Sequence, residues 1–305
     1  MAITAQDVKQ LKEMTNCGMM DCKRALEETG GDMDAAVKYL REKGLAKATK
    51  KAGRIAAEGL VFTKIDSMKK IGVVVEINSE TDFAAKSDRF VEFVEQVADT
   101  ILANDVADVE ALKEIIAFGA TEKIEEVRIE KVATIGENIQ IRRFAKLDGD
   151  LFSYVHDGGG SIIGTLLKVE ADDAADPAIA EAAKNLLLQI TASAPQFVSR
   201  DDVPQSVIDT EKATQMGIVQ NENEAKPKPQ NVLEKIVEGR LRKFLEEICL
   251  LDQPYVKNPD MTVEKYIESV GKGMKVASFV RYEKGEGIEK KADNFAEEVA
   301  SMVSN

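Results

Sequence analysis

Residues 71–101 predict three consecutive elements whose order limits how this chain can fold. Residues 71–77 are almost wholly apolar and rich in β-branched side chains, which predicts a buried strand. Apolar residues at helical spacing then predict a helix, and they are Phe90, Val94, Val97 and Ile101. The polar turn between strand and helix carries one large aromatic side chain, Phe83. Because such a turn lies on the surface, Phe83 either folds back into its own core or contacts a partner. Residue chemistry alone favours the first alternative.

The composition is that of a soluble protein with more than one compact unit. The chain has 305 residues, of which 44% are hydrophobic and 31% charged, so it can form two or more cores. Its three cysteines are an odd number, which argues against a secreted disulfide framework. No apolar run reaches the roughly 18–20 residues of a membrane span, and no signal-peptide core precedes the first helix pattern. We therefore expect a cytoplasmic protein without a membrane partner.

The charge is unevenly distributed and disfavours nucleic acid as a direct partner. The net charge is −13, whereas a general nucleic-acid binder needs a cationic surface. Residues 1–54 hold 11 basic and 8 acidic residues, a balance of +3, so the remainder carries −16. A mildly basic N-terminal unit on an acidic body suggests a protein partner.

Residues 1–54 form the head of the chain, and their pattern predicts three short helices. Thr4 and Asp7 have the spacing of a helix start, Gly30 and Gly31 stop the second helix, and Asp32 caps the third. Gly44 is expected to end the third helix. The basic residues that follow are expected to lie on a solvated linker helix rather than to bind nucleic acid; they are Lys47, Lys50, Lys51 and Arg54.

The body predicts an α+β fold with antiparallel sheets. Strands are expected at 60–65, 71–77, 138–147, 151–156 and 161–169, with a tight hairpin turn at 157–160. One helical stretch is expected at about 88–131, and further helices at 177–192 and 204–216, followed by a polar linker at 221–230. The order strand, acidic turn, helix around Phe83 recurs at the C-terminus, which suggests two related half-domains.

A helical hairpin is predicted as an insertion. Residues 233–248 carry an apolar stripe at helical spacing, and residues 263–270 are expected to return as its antiparallel partner. A strand at 275–282 comes next, and then a final helix carrying Phe295, Val299 and Met302. The predicted units are the head (1–54), a first core half (55–175), a second core half (176–222 with 272–290), the inserted hairpin (223–271) and a C-terminal helix (291–305).

Motifs for enzymatic chemistry are missing from the sequence. It contains no phosphate-binding G-x-x-x-x-G-K-[ST] loop and no H-E-x-x-H zinc motif, and the single histidine, His156, leaves no histidine-based triad. Glu80 and Asp82 could be imagined as an acid–base pair, but two carboxylates in a turn are commonplace. We expect no enzyme activity, no metal and no cofactor.

Two stretches resemble signatures of the elongation factor Ts family. Residues 76–86, Glu-Ile-Asn-Ser-Glu-Thr-Asp-Phe-Ala-Ala-Lys, resemble one, with Ala84 where Val is usual. Residues 11–26 resemble the other, with Lys12 where Arg is usual, which keeps the charge but loses the planar guanidinium. The head is similar to the ubiquitin-associated-type three-helix bundle that opens this family. Further blocks occur in family order, so the resemblance covers nearly the whole chain.

The resemblance implies a nucleotide-exchange factor for the GTPase EF-Tu. In the family, the Thr-Asp-Phe turn enters the G domain near the Mg²⁺ site, which assigns partner binding to Thr81, Asp82, Phe83 and Ala84. The residue pattern of the basic head adds Lys12, Met19 and Met20 as candidate contacts with the G domain, since methionine suits adaptable interfaces. The last helix would contact the partner through Phe295, Val299 and Met302.

Two questions stay open on the sequence alone. The hairpin could support a homodimer, and hence a 2:2 complex with EF-Tu, or it could pack on its own body. A ubiquitin-associated-like adaptor, which binds peptide or protein partners without exchange activity, is the alternative function.

Overall fold

Two three-stranded antiparallel sheets pack face to face, and helices cover the outer face of each. The structure is a computed structural model and describes residues 3–15, 17–225 and 229–289, without the side chains of 223–225. Its helices are α1 (Ala5–Thr15), α2 (Met19–Glu28), α3 (Met33–Lys51), α4 (Asp82–Ala85), α5 (Asp88–Ala103), α6 (Val109–Lys113), α7 (Ile124–Ile135), α8 (Pro177–Ser193), α9 (Gln205–Ala225), α10 (Gln230–Ile248) and α11 (Val263–Val270). Its strands are β1 (Glu58–Asp66), β2 (Ile71–Ser79), β3 (Gln140–Asp148), β4 (Asp150–Gly158), β5 (Ser161–Glu170), β6 (Pro254–Tyr255), β7 (Asn258–Thr262) and β8 (Lys275–Glu283). The predicted α+β class is confirmed.

The head forms its own small core from α1, α2 and α3. Leu11, Cys22 and Leu26 are fully buried there. Thr4 and Asp7 exchange the hydrogen bonds of a capping box, since each backbone N–H donates to the other side chain. The side chain of Asp32 accepts from the backbone N–H of Ala35, as its predicted capping role requires.

The prediction that Gly44 ends the third helix is wrong, because α3 continues to Lys51. A Cβ at Gly44 would lie 3.5 Å from the Cβ of Ala133, so this glycine marks the place where α3 packs on α7. The basic residues beyond it bind within the chain. Lys47 pairs with Asp21, Lys51 donates to the carbonyl of Gly136, and Arg54 pairs with Glu80. The head is therefore joined to the body by a continuous helix.

The first sheet has the order β1-β2-β3, and its central strand is buried on both faces. Val73, Val75 and Ile77 pack against the cluster that includes α5, whereas Val74 faces the second sheet, whose order is β4-β5-β8. This double burial explains the continuous apolar run of β2, since a strand with one exposed face would alternate.

Close contact between the sheets depends on a glycine in β5. A Cβ at Gly164 would lie only 2.5 Å from Cγ1 of Val61 in β1. Any larger residue would therefore force the sheets apart at this point. The outer face of the second sheet packs on α8, with Leu167 and Val169 in the same cluster as Ile179.

Strand pairing divides the body differently from the predicted first half at 55–175. The strands β4 and β5 pair with β8 and not with the first sheet. The chain leaves the first sheet at Gly149. Its φ of +116° is a backbone conformation that glycine adopts readily because it has no Cβ. Each sheet nevertheless has the same plan: a hairpin, then helices, then a third strand beside the hairpin's second strand. The central strands of the two repeated units are therefore β2 and β5, whereas the sequence suggested that the second unit includes the strand at 275–282.

Two helical predictions need correction. The expected stretch at 88–131 is divided into α5, α6 and α7, and Asp108 caps α6 by accepting from the N–H of Ala111. The expected antiparallel partner of α10 is also wrong. The helix α9 extends to Ala225 and packs on α10, while α11 packs on α8. Val219 of α9 is buried against Leu233 and Val237 of α10, and residues 221–225, predicted as part of a polar linker, are helical.

The predicted C-terminal helix at 291–305 lies outside the described residues. Among the helices that the structure describes, none has the length and apolar character needed to cross a membrane.

Candidate partner-binding site

The Phe83 turn, residues 79–86, presents its aromatic ring to solvent. Phe83 lies in α4, a helix of one turn between β2 and α5, and its side chain is 83% exposed. The fold-back alternative that residue chemistry favoured is therefore wrong. An exposed phenylalanine in a short helix just beyond the end of a buried strand is a candidate contact for another protein.

Hydrogen bonds hold the backbone of this turn. The hydroxyl of Thr81 accepts from the N–H of Ala84 at 3.2 Å and so caps α4. It also donates to Oε1 of Glu137 at 2.7 Å, while the N–H of Thr81 donates to Oε2 at 2.9 Å. The hydroxyl of Ser79 donates to the carbonyl of Thr81 at 2.9 Å. Phe83 is thus exposed on a backbone that is fixed by its own chain.

The two carboxylates of the turn have different surroundings. Glu80 faces the body, where it accepts from the N–H of Asn138 at 2.6 Å and pairs with Arg54 at 3.2 Å. Asp82 faces solvent and pairs with Lys86 at 2.8 Å. The hydrogen bond from Lys86 lowers the pKa of Asp82, so this carboxyl stays ionised beside Phe83. Glu80 therefore supports the turn, and Asp82 is available to a partner.

Ala84 supports the turn from inside. Its side chain is only 7% exposed, so it cannot offer much surface to a partner. Of the four predicted turn residues, Asp82 and Phe83 project outward, Thr81 is used as a cap, and Ala84 is buried.

The head presents the residues that the sequence assigned to a partner. Lys12 is exposed at the end of α1, and the side chains of Met19 and Met20 are 56% and 64% exposed at the start of α2. Met14 of α1 is also 54% exposed, although Val8 and Leu11 on the same helix are buried. No sequence signal indicates this exposure, because Met14 keeps the helical spacing of its buried neighbours. Phe295, Val299 and Met302 lie outside the described residues.

The three cysteines are free thiols, of which Cys22 and Cys249 are buried and Cys17 is half-buried. Burial raises the pKa of Cys249 to about 11, and burial also raises the pKa values of Cys17 and Cys22. The thiolate, which is the reactive form, is therefore disfavoured at neutral pH. In the described part of the chain, no group of three or more His, Cys, Asp or Glu residues is placed to hold a metal ion.

Two comparisons with known proteins identify the family of this chain. The family model described as elongation factor TS matches residues 80–286, which include Phe83, β3 and all three strands of the second sheet. The chain is also 46% identical to the elongation factor Ts of Clostridioides difficile (strain 630), over 313 aligned positions that cover 99% of each protein. The chain belongs to the elongation factor Ts family.

Membership of this family decides between the two functions left open by the sequence. Elongation factor Ts is the nucleotide-exchange factor of EF-Tu in translation elongation, not a catalytic enzyme. EF-Tu is therefore the partner, and the adaptor without exchange activity is not supported. Family membership also gives the predicted cytoplasmic location.

Proposed function

We propose that this chain releases GDP from EF-Tu by inserting Phe83 into the G domain near the Mg²⁺ site. The observation that carries the proposal is the 83% exposure of Phe83 on a short helix whose backbone is held by Ser79, Thr81 and Glu137. A rigid support lowers the entropy lost when a side chain is buried in a partner.

Release follows from linkage rather than from covalent chemistry. A GTPase holds its nucleotide and Mg²⁺ through mobile loops. When Phe83 is buried only after those loops are displaced, the chain binds nucleotide-free EF-Tu better than it binds EF-Tu with GDP. Linkage then requires that this chain lower the affinity of EF-Tu for GDP. The factor is the same as that by which bound GDP lowers the affinity of EF-Tu for this chain. GTP rebinds to the emptied site.

The size of the effect follows from the area of one aromatic side chain. Burying a phenylalanine stabilises a complex by roughly 1.5–3 kcal/mol, and each 1.4 kcal/mol or so is tenfold in an equilibrium. Because Phe83 is exposed in the free protein, this gain is not already used in its own core.

Asp82 and the head contribute the remaining proposed contacts. The ionised carboxyl of Asp82 adds negative charge beside Phe83, close to where Mg²⁺ is displaced. Lys12, Met19 and Met20 bind the G domain with the exposed surface of the head. Contacts through Phe295, Val299 and Met302 stay a prediction, as does self-association through the hairpin region.

Stopped-flow release of labelled GDP from EF-Tu tests the proposal. Phe83→Ala should slow the release stimulated by this chain by roughly ten- to a hundredfold, while the melting temperature changes little, because an exposed ring contributes little to its own core. Release at the wild-type rate would show that Phe83 has no such role.

Met68→Ala is a matched control. Met68 is 95% exposed in the turn between β1 and β2, at the opposite end of β2 from Phe83, on the order of 25–30 Å away. This variant should release GDP at the wild-type rate. Equal slowing by both variants would point to a general loss of apolar surface instead of a defined insertion.

A further inference from the structure

Glu76 is a fully buried carboxylate in β2, at the edge where the two sheets meet. Its Oε1 accepts from Nη1 of Arg142 at 2.9 Å and from the backbone N–H of Gly285 at 2.8 Å. Its Oε2 accepts from Nε of Arg143 at 2.6 Å, and the amide of Asn78 donates to Oε1 at 3.1 Å. Burying a charge is costly unless it is paired and hydrogen-bonded, and here both conditions are met.

A β-bulge in β3 makes this arrangement possible. Glu76 pairs with Arg143 and Ile77 pairs with Ile141, so Arg142 is the extra residue between them. In a regular strand, consecutive side chains point to opposite faces. The bulge redirects Arg142, and both arginines then reach the same carboxylate. Arg142 donates to Glu76 and to the carbonyl oxygen of Glu286, and these two acceptors hold the extra residue in place.

The bulge also sets the register of the part of β3 that lies beside the Phe83 turn. Beyond the bulge, Asn78 pairs with Gln140, which places Glu137 and Asn138, three and two residues before the start of β3, next to the turn. Glu137 accepts both hydrogen bonds from Thr81, and the N–H of Asn138 donates to Glu80. A shift of β3 by one residue would move these partners away from Thr81 and Glu80.

Glu76 reaches a second segment as well, the turn after β8. The N–H of Gly285 donates to Glu76, and Arg143 pairs with Glu286 at 2.9 Å. Gly285 has a φ of +69°, and a Cβ there would lie 2.3 Å from the carbonyl oxygen of Ala57. The turn at 283–287 is therefore fixed both against Ala57, which directly precedes β1, and against Glu76.

We propose that Glu76 and the bulged Arg142 are positioning residues for Phe83. By fixing the register of β3, they hold Glu137 and Asn138 where these residues bind the Phe83 turn, and so they set the direction in which Phe83 leaves the body. Neither residue needs to touch EF-Tu. The functional part of this inference rests on the proposed role of Phe83, whereas the structural part can be measured in the free protein.

Arg142→Met is the preferred test variant. The side chain of Arg142 is 27% exposed, and methionine keeps much of its aliphatic length, so the protein should stay folded. We expect amide hydrogen exchange of residues 80–86 in the free protein to become at least about fivefold faster, because the local opening that exposes these amides becomes easier. Glu76→Gln, which removes the charge but keeps the shape, should have a larger effect in the same direction.

A double-mutant cycle connects this local change to GDP release. Arg142→Met should slow stimulated release by about fivefold when Phe83 is present, and by less than about twofold in the Phe83→Ala background. The second effect is smaller because Arg142 acts through Phe83, and the effects of substituting two coupled residues are not additive. Equal slowing in both backgrounds would overturn the proposal, and so would unchanged hydrogen exchange at 80–86 in a folded Arg142→Met protein.

Arg200→Met is the matched control, since Arg200 forms an ion pair with Asp252 at 3.0 Å in the second half and has no hydrogen bond to the turn. It should leave both measurements at wild-type values. Wild-type release by Phe83→Ala alone would refute the proposed function, and the hydrogen-exchange result would still decide whether Arg142 positions the turn.

Discussion

The two halves of the body share a topology and differ in the connection that leaves the central strand. In the first half, β2 leads into α4, whose four residues present Phe83. In the second half, β5 leads through residues 171–176 directly into α8, which Asp176 caps by accepting from the N–H of Ala178. The sheet and its helical cover are therefore common support. The feature that distinguishes the first half is one connection that ends in an exposed aromatic ring.

The buried polar groups on the central strands of the two halves also differ. The central strand of the second half carries Thr165, whose hydroxyl bonds to that of Thr191 at 3.0 Å. The central strand of the first half carries Glu76, held by two arginines. A neutral pair is sufficient where a strand only has to pack on a helix. A charged and fully bonded group defines a single geometry more strictly, because every alternative leaves a buried charge unpaired.

The largest expected effect is a loss of stability from a substitution that forces the two sheets apart. Gly164→Ala places a Cβ 2.5 Å from Val61 and should lower the free energy of unfolding by about 1–3 kcal/mol, measured by denaturant titration. We expect one cooperative transition, because each sheet covers the other. Two separated transitions would show that the halves fold independently.

Gly217→Ala controls for the change from glycine to alanine itself. Gly217 lies in α9, where an added Cβ would meet open space beyond the backbone of its own helix. Alanine is the better helix former, so this variant should be neutral or slightly more stable. A loss equal to that of Gly164→Ala would mean that contact between the sheets is not the cause.

An intermediate effect is expected at the head, which packs on the first half through α3 and α7. Met19→Ser with Met20→Ser should weaken binding to EF-Tu by about tenfold, since two exposed apolar side chains would lose their burial in the partner. Calorimetric titration measures this. Met68→Ser is the control on a distant surface, and equal weakening there would remove the head from the proposed interface.

The smallest expected effect concerns Asp82. Asp82→Ala should slow GDP release by about two- to fivefold, less than Phe83→Ala, because it removes charge but little buried area. Its ion pair with Lys86 is exposed, so the melting temperature should stay close to wild type. Lys86→Ala is the control that removes the same ion pair while keeping the carboxylate. If it slows release as much as Asp82→Ala does, the pair and not the charge is what matters.

The sequence predicted the elements whose signals are local. The run at 71–77 predicts a strand because β-branched residues favour a buried pleated surface, and the glycines after α2 predict its end because they accept a positive φ. What it could not predict depends on contacts between distant residues. Gly44 looked like a helix end, and only the approach of Ala133, 89 positions later, shows why it lies inside α3. The partner of α10 was misassigned for the same reason.

For the candidate site, too, the sequence did not reveal features that depend on contacts between distant residues. Family resemblance identified the Phe83 turn, but residue chemistry by itself favoured a buried ring. Whether Phe83 is exposed depends on Thr81 and Glu137, which are 56 positions apart. Burial of Ala84 and Glu76 could not be inferred either. Glu76 is a charged residue within an apolar run and Ala84 belongs to a surface turn, so nothing in their own sequence shows that their side chains are covered.

The strand order has a consequence for synthesis on the ribosome. The first sheet has all its strands once residue 148 has been made, but the second sheet lacks β8 until residue 283. The 135 residues between these points take roughly 7–27 s to translate at 5–20 residues per second. During that time the surface of the first sheet around Val61 and Val74 can be covered only by an unfinished β4-β5 hairpin. Nascent chains of this protein therefore pass through an interval in which an apolar sheet face is incompletely covered and open to chaperones.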